Sequence, residues 1–115
     1  MFDLVLLGLG TDGHTASLFP DSPPLDDPTQ WVAMTTAPNA PTRRMTLTYP
    51  VLNAARQVWC VVTGHAKREI VVRCLDAVAT RRLLPVQRIR PTAGKMVWWL
   101  DNAATGSTVK RDEKK

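Results

Sequence analysis

The sequence predicts an α/β fold, a layered parallel sheet with flanking helices. Three apolar runs carry that prediction. Residues 5–7 (VLL) contain no polar group, which suits a strand covered on both faces. Residues 57–63 (QVWCVVT) are β-branched and apolar and stop at Gly64. Residues 96–100 (MVWWL) form a third run of the same kind. Helix signals separate these runs, and strands joined through helices pair in parallel. A chain of 115 residues makes one small domain.

Gly8, Gly10 and Gly13 let the chain turn sharply after the first strand, with backbone N–H groups left open. A short helical turn is expected next, ended by Pro20. Residues 21–28 are a loop by composition. Residues 31–36 (WVAMTT) read as a short strand, and the prolines of 37–41 mark a second loop. Residues 44–48 (RMTLT) alternate polar and apolar side chains, as a half-buried strand does. Thr48 followed by Pro50 starts a short helix over 51–55. From 65 to about 78, Ala66, Ile70, Val71, Cys74, Leu75 and Val78 recur at helical spacing, with Glu69 and Arg73 as an i,i+4 pair on the solvent side. Residues 86–90 suggest an edge strand. Asp101 can cap a last short helix through Ala104.

The chain opens in a strand that asks for cover on both faces, and nothing earlier supplies it. Either it is the C-terminal half of a larger domain, or another chain provides the rest. The expected domain therefore spans 1–105, incomplete on its N-terminal side. Residues 106–115 are expected to be a disordered charged tail.

An apolar fraction of 44% argues against general disorder. The net charge of +5 is dispersed over Arg43-Arg44, Lys67-Arg68, Arg81-Arg82 and the tail residues Lys110, Arg111, Lys114 and Lys115. With no single basic face, no nucleic-acid partner is expected, whereas a small anionic substrate fits. No apolar run is long enough to cross a bilayer, and the first residues lack a secretory signal, so a cytoplasmic location without membrane association is the default. Cys60 and Cys74 read as free thiols, and two cysteines alone make no zinc site. No cofactor or metal is expected.

Gly8, Gly10 and Gly13 match the dinucleotide-binding fingerprint letter for letter, but that motif needs a long following helix and an acidic residue at the next strand end. Pro20 stops the helix early, and Asp26 and Asp27 lie in a proline-rich loop, so a nicotinamide site is rejected. Asp12 is placed to cap the following turn by accepting from the N–H of His14 or Thr15. His14 has two readings. It is a packing histidine, or it is a general base kept neutral by a helix N-terminus. Lys67 is a solvated lysine, or it shares an anion with its helix terminus. Arg44 is a surface charge, or a bidentate phosphate ligand. Trp31, Trp59, Trp98 and Trp99 read as core and rim.

The motif G-L-G-T-D-G-H-T-A-S-L-F-P over 8–20 resembles the family of 6-phosphogluconolactonases and glucosamine-6-phosphate isomerases. The likeness continues through P-T-R-R-M-T-L-T over 41–48, V-L-N-A-A-R over 51–56, T-G-H-A-K over 63–67 and W-W-L-D-N-A-A over 98–104. It implies a Rossmann-like fold. It maps the family's catalytic histidine onto His14, its aspartate onto Asp12, and its phosphate-binding arginine and lysine onto Arg44 and Lys67. Isomerases carry an acidic residue five positions after the histidine. Phe19 stands there, which favours the lactonase. Thr11 stands where lactonases often have Glu, and Asp21 where they often have Gly.

The resemblance implies hydrolysis of a phosphorylated sugar lactone, 6-phosphogluconolactone, to 6-phosphogluconate in the pentose phosphate pathway. His14 would act as base, Asp12 as its orienter, and the N–H groups of Gly10 to Gly13 as donors to the oxyanion. Family members also carry a comparable stretch ahead of this one, with a Gly-Gly-Ser-type loop that grips phosphate. The alternative is therefore a truncated, non-catalytic fragment that binds sugar phosphates at most. A sheet left bare by truncation also predicts self-association.

Overall fold

The computed structural model describes residues 1–20, 27–39, 41–76 and 83–106. Three strands form a parallel sheet in the order β1-β4-β5: β1 (Leu4–Leu7), β4 (Gln57–Val62) and β5 (Lys95–Leu100). A separate antiparallel hairpin pairs β2 (Val32–Thr36) with β3 (Arg43–Leu47). The helices are α1 (Tyr49–Asn53), α2 (Arg68–Leu75) and α3 (Asn102–Thr105). The three apolar runs thus form one parallel sheet as predicted, while the weaker extended segments pair with each other outside it.

One face of the sheet is covered. Val5, Leu7 and Val58 pack with Val51 and Leu52 of α1, and Cys60 and Val62 pack with Ile70 and Val71 of α2 and Ala104 of α3. Met96, Trp98 and Leu100 of β5 close over the same layer. The opposite face carries Leu4, Leu6, Val61 and Trp99, all exposed, and Leu6 keeps 63% of its surface in water. Cover on both faces, expected for residues 5–7, is therefore not met among the described residues. The reason is that α1, α2 and α3 all pack on one side.

Four further departures are local. No helix follows the glycine-rich loop. Ala16 takes φ 51°, a left-handed value that breaks a right-handed helix, and Thr15 and Leu18 form an isolated bridge instead. Residues 86–90 are not an edge strand. Pro85–Arg88 is a 3-10 turn in which Gln87 Oε1 accepts from the Leu84 N–H at 2.8 Å, and the Val86 N–H donates to Gly13 O at 3.1 Å. The long helix expected from 65 begins as a 3-10 turn, His65–Lys67, before α2, and Ala77 and Val78 lie outside the described residues. The Glu69–Arg73 pair is not formed. Among the described residues, the ion pair between a carboxylate and an arginine or lysine is Asp3–Arg56, and Asp12 contacts the imidazole of His14.

Helix starts follow their signals. Pro50 occupies the first turn of α1 after Thr48. The Asp101 carboxylate accepts from the Ala104 N–H at 2.8 Å, the cap bond predicted for α3. The same carboxylate accepts from the Gly64 N–H at 3.2 Å, tying the start of the His65–Lys67 turn to α3. Cys60 is buried, Cys74 half-buried, and both are free. The loop expected over 21–28 falls mostly on residues outside the described set, as do Arg81, Arg82 and the tail from 107.

Candidate active site

β1 ends at Leu7, and the chain turns through residues 8–14 at the carboxyl edge of the sheet, where open α/β sheets place ligand sites. Buried Thr15 anchors this loop by donating its hydroxyl to Gly8 O at 2.8 Å. Buried Thr46 of β3 anchors it from the other side, its hydroxyl accepting from the Ser17 N–H at 3.0 Å. The loop also closes on itself: the Gly10 N–H donates to His14 O at 2.8 Å, and the Gly13 N–H to Gly10 O at 2.9 Å.

These bonds fix the imidazole. Asp12 Oδ1 accepts from the His14 N–H at 3.0 Å, the cap-like bond read from the sequence, here without a helix behind it. The same oxygen lies 2.6 Å from His14 Nδ1. With the proton on Nδ1, that contact is a charge-assisted hydrogen bond and leaves the lone pair on Nε2. The ring sits so close to Gly10 that a Cβ there would lie 2.1 Å from His14 Cε1 and Nδ1, which is why position 10 is glycine. The His14 side chain keeps 33% of its surface exposed, so the ring is held and still reaches solvent. No helix follows the loop, so the helix terminus expected beside the ring is not there. The neighbouring carboxylate orients the ring instead.

Desolvation pushes the Asp12 carboxyl up. The backbone N–H of His14, the ring hydrogen bond and the ring's charge together outweigh it and hold Asp12 below its ordinary value. The carboxylate is therefore ionised at neutral pH.

The two cations reach the same loop. Lys67 stands just ahead of α2, and its ammonium donates to Leu9 O, the carbonyl beside Gly10. It is therefore not a freely solvated lysine. Arg44 donates from Nε to Pro41 O at 2.7 Å, its terminal nitrogens have no partner among the described residues, and its guanidinium carbon lies 5.9 Å from the centre of the Phe19 ring. That ring is 4.8 Å from the imidazole of His14. The expectation of open glycine N–H groups is corrected: Gly10 and Gly13 are satisfied inside the loop. Among the described residues, the Thr11 N–H has no acceptor within the loop, whereas the Asp12 N–H faces its own carboxylate.

Sequence reasoning missed Thr15, Thr46 and Phe19 as supports of the site. Threonine in a loop or strand gives no periodic signal, and Phe19 meets His14 only because the chain reverses at Ala16.

Residues 1–98 match the family model described as glucosamine-6-phosphate isomerases/6-phosphogluconolactonase. The chain belongs to that family. It is 49% identical over 105 residues to the 6-phosphogluconolactonase of Bos taurus, covering 90% of this chain and 40% of that protein. It is 45% identical over 103 residues to the GDH/6PGL endoplasmic bifunctional protein of Oryctolagus cuniculus, covering 90% of this chain and 13% of that protein. Among solved structures, the 6-phosphogluconolactonase of Leishmania guyanensis superposes with a TM-score of 0.77 at 32% identity, over 94% of this chain and 42% of that one. The chain thus spans well under half the length of these relatives. The parallel sheet and flanking helices are the fold of the family, and the resemblance read from residues 8–20 onward is borne out.

Proposed function

We propose that this chain carries the base and anion-binding side chains of a 6-phosphogluconolactonase, an ester hydrolase of the pentose phosphate pathway. The observation that carries the proposal is the Asp12–His14 pair, a 2.6 Å contact that commits Nδ1 and leaves Nε2 open. Water attacks the lactone carbonyl as Nε2 takes its proton. The tetrahedral carbon then breaks its bond to the ring oxygen, and protonated Nε2 returns the proton to that oxygen as it leaves. The Thr11 N–H, which has no acceptor within the loop among the described residues, is the donor for the carbonyl oxygen. The terminal nitrogens of Arg44 and the remaining N–H donors of Lys67 hold the phosphate, which aligns the carbonyl with Nε2. Asp12 acts as a positioning residue as long as it touches only His14.

Hydrolysis of the lactone releases an acid, so a pH-stat reads it directly. A rate above the spontaneous reaction supports the proposal, with Arg44→Ala and Lys67→Ala each raising KM more than they lower kcat. A rate equal to buffer alone rejects turnover by this chain.

Two observations favour a second reading, a non-catalytic fragment that binds sugar phosphates: the glycine N–H groups are internally engaged, and the chain spans 40% of its lactonase relative. Saturable tryptophan quenching by 6-phosphogluconate without proton release supports that reading. The free thiols agree with a reducing, cytoplasmic location, and among the described residues no helix is long and apolar enough to cross a membrane. The open sheet face supports self-association of two copies.

A further inference from the structure

Phe19 is 93% buried at the end of the catalytic loop, and it touches the two groups whose spacing matters most. Its ring centre lies 4.8 Å from that of His14, with the planes tilted by 41°. The guanidinium carbon of Arg44 lies 5.9 Å from the same centre, within cation–π range. Neither partner is placed by Phe19 alone. Asp12 holds Nδ1 of the imidazole, and Pro41 O holds Nε of the guanidinium. Each of these anchors leaves a rotation open, about the Nδ1 contact for the imidazole and about Nε for the guanidinium. A buried aromatic ring against both restricts the two rotations together. Phe19 is itself fixed, because the Thr15–Leu18 bridge and the Ser17–Thr46 bond clamp the residues on its N-terminal side to the sheet and hairpin.

From this arrangement we infer that Phe19 is a positioning residue that sets the spacing between the imidazole and the anion-holding guanidinium, and so selects substrates by the distance from their reacting carbonyl to their phosphate. The inference rests on the proposed hydrolase reading for its substrate, but not for its geometry. An aliphatic side chain at position 19 supplies apolar volume without a flat face for the ring or a π-system for the cation. Both groups then sample more orientations. The chemical step depends on their joint alignment, so kcat falls while phosphate affinity, carried by Arg44 and Lys67, changes little.

The test compares wild type, Phe19→Leu and Phe19→Tyr by nitrogen-detected NMR of the two imidazoles and by pH-stat kinetics. In wild type, His14 shows a single dominant tautomer with the proton on Nδ1 rather than the averaged signal of two exchanging tautomers, and exposed His65 serves as the internal reference. In Phe19→Leu, His14 moves toward the averaged signal while His65 and the dispersed backbone spectrum stay as they were. Turnover falls between about tenfold and a hundredfold, with KM changed less than about threefold. Phe19→Tyr keeps a ring against both groups and restores both readouts. An unchanged His14 tautomer in a folded Phe19→Leu chain overturns the inference, as does a Phe19→Tyr chain that behaves like Phe19→Leu. If Phe19→Leu fails to fold, Phe19→Met takes its place with the same criteria. Absence of turnover in wild type refutes the hydrolase reading, and the tautomer comparison still decides the role of Phe19.

Discussion

One oxygen of Asp12 holds both the main chain and the ring of His14, so its removal acts twice. Asp12→Ala frees the ring and uncaps the turn. Lactone turnover should fall by about a hundredfold to ten-thousandfold, the usual worth of an oriented base. The variant should stay folded, because Asp12 lies at the surface. The carboxyl is held below its ordinary value of 3.8, so whatever stability it lends is present above that pH and is lost as the pH falls through the folded-state value. Acid unfolding of wild type and Asp12→Ala should therefore diverge above pH 4 and converge below it. Parallel acid curves would contradict the assignment. The two-residue spacing of Asp12 and His14 made their contact legible in the sequence, since a short carboxylate two positions ahead reaches the N–H of such a turn. The contact between His14 and Phe19 was not legible. It requires a left-handed Ala16, and nothing in the identity of alanine announces that.

Loops and short helices carry the site, and their anchors are single residues. A Cβ at Gly10 would overlap the imidazole, so Gly10→Ala must displace the ring. Turnover should drop more than about tenfold while the circular dichroism spectrum is unchanged. A fully active Gly10→Ala would show that the ring need not lie where it does. Asp101 caps α3 and also holds Gly64 at the start of the turn that presents Lys67. Asp101→Ala should cost about 1–2 kcal/mol, a melting point lower by several degrees, and should raise KM if Lys67 binds the phosphate. Thermal melts with substrate titrations check both effects. At this scale the capping residues were read correctly because a cap is a local device. The segment at Pro85–Arg88 was misread because Gln87 turns back on Leu84, and the alternation of Val86 and Ile89 with polar residues does not reveal such a side-chain bond.

In the whole molecule, one sheet has one covered face, and the reason is connectivity: every described helix returns to the same side. The three apolar runs foretold the strands and their parallel pairing, but apolar character on both faces could not say which face this chain covers by itself. Leu4, Leu6, Val61 and Trp99 on the bare face predict concentration-dependent dimers in sedimentation, weakened by Leu6→Lys. A monodisperse monomer at high concentration would count against them. The covered layer makes an alkaline prediction as well. Desolvation, with a smaller contribution from the charge of Cys74, pushes the Cys60 thiol from 9.0 up to about 12. Above pH 9 the unfolded chain releases a proton that the folded chain keeps, so stability falls with rising pH by up to about 1.4 kcal/mol per unit for this group. Urea titrations between pH 8 and 10.5 should show that decline, reduced in Cys60→Ala.

In the proposed reaction, Nε2 of His14 is the atom that takes the proton from water. The most direct measurement is the initial rate of acid release from 6-phosphogluconolactone by wild type and by His14→Ala, each corrected for spontaneous hydrolysis and matched for 6-phosphogluconate affinity by tryptophan fluorescence. Catalysis by wild type that falls to the spontaneous rate in His14→Ala, with binding retained, is the result predicted. Equal catalytic rates for the two proteins would contradict it.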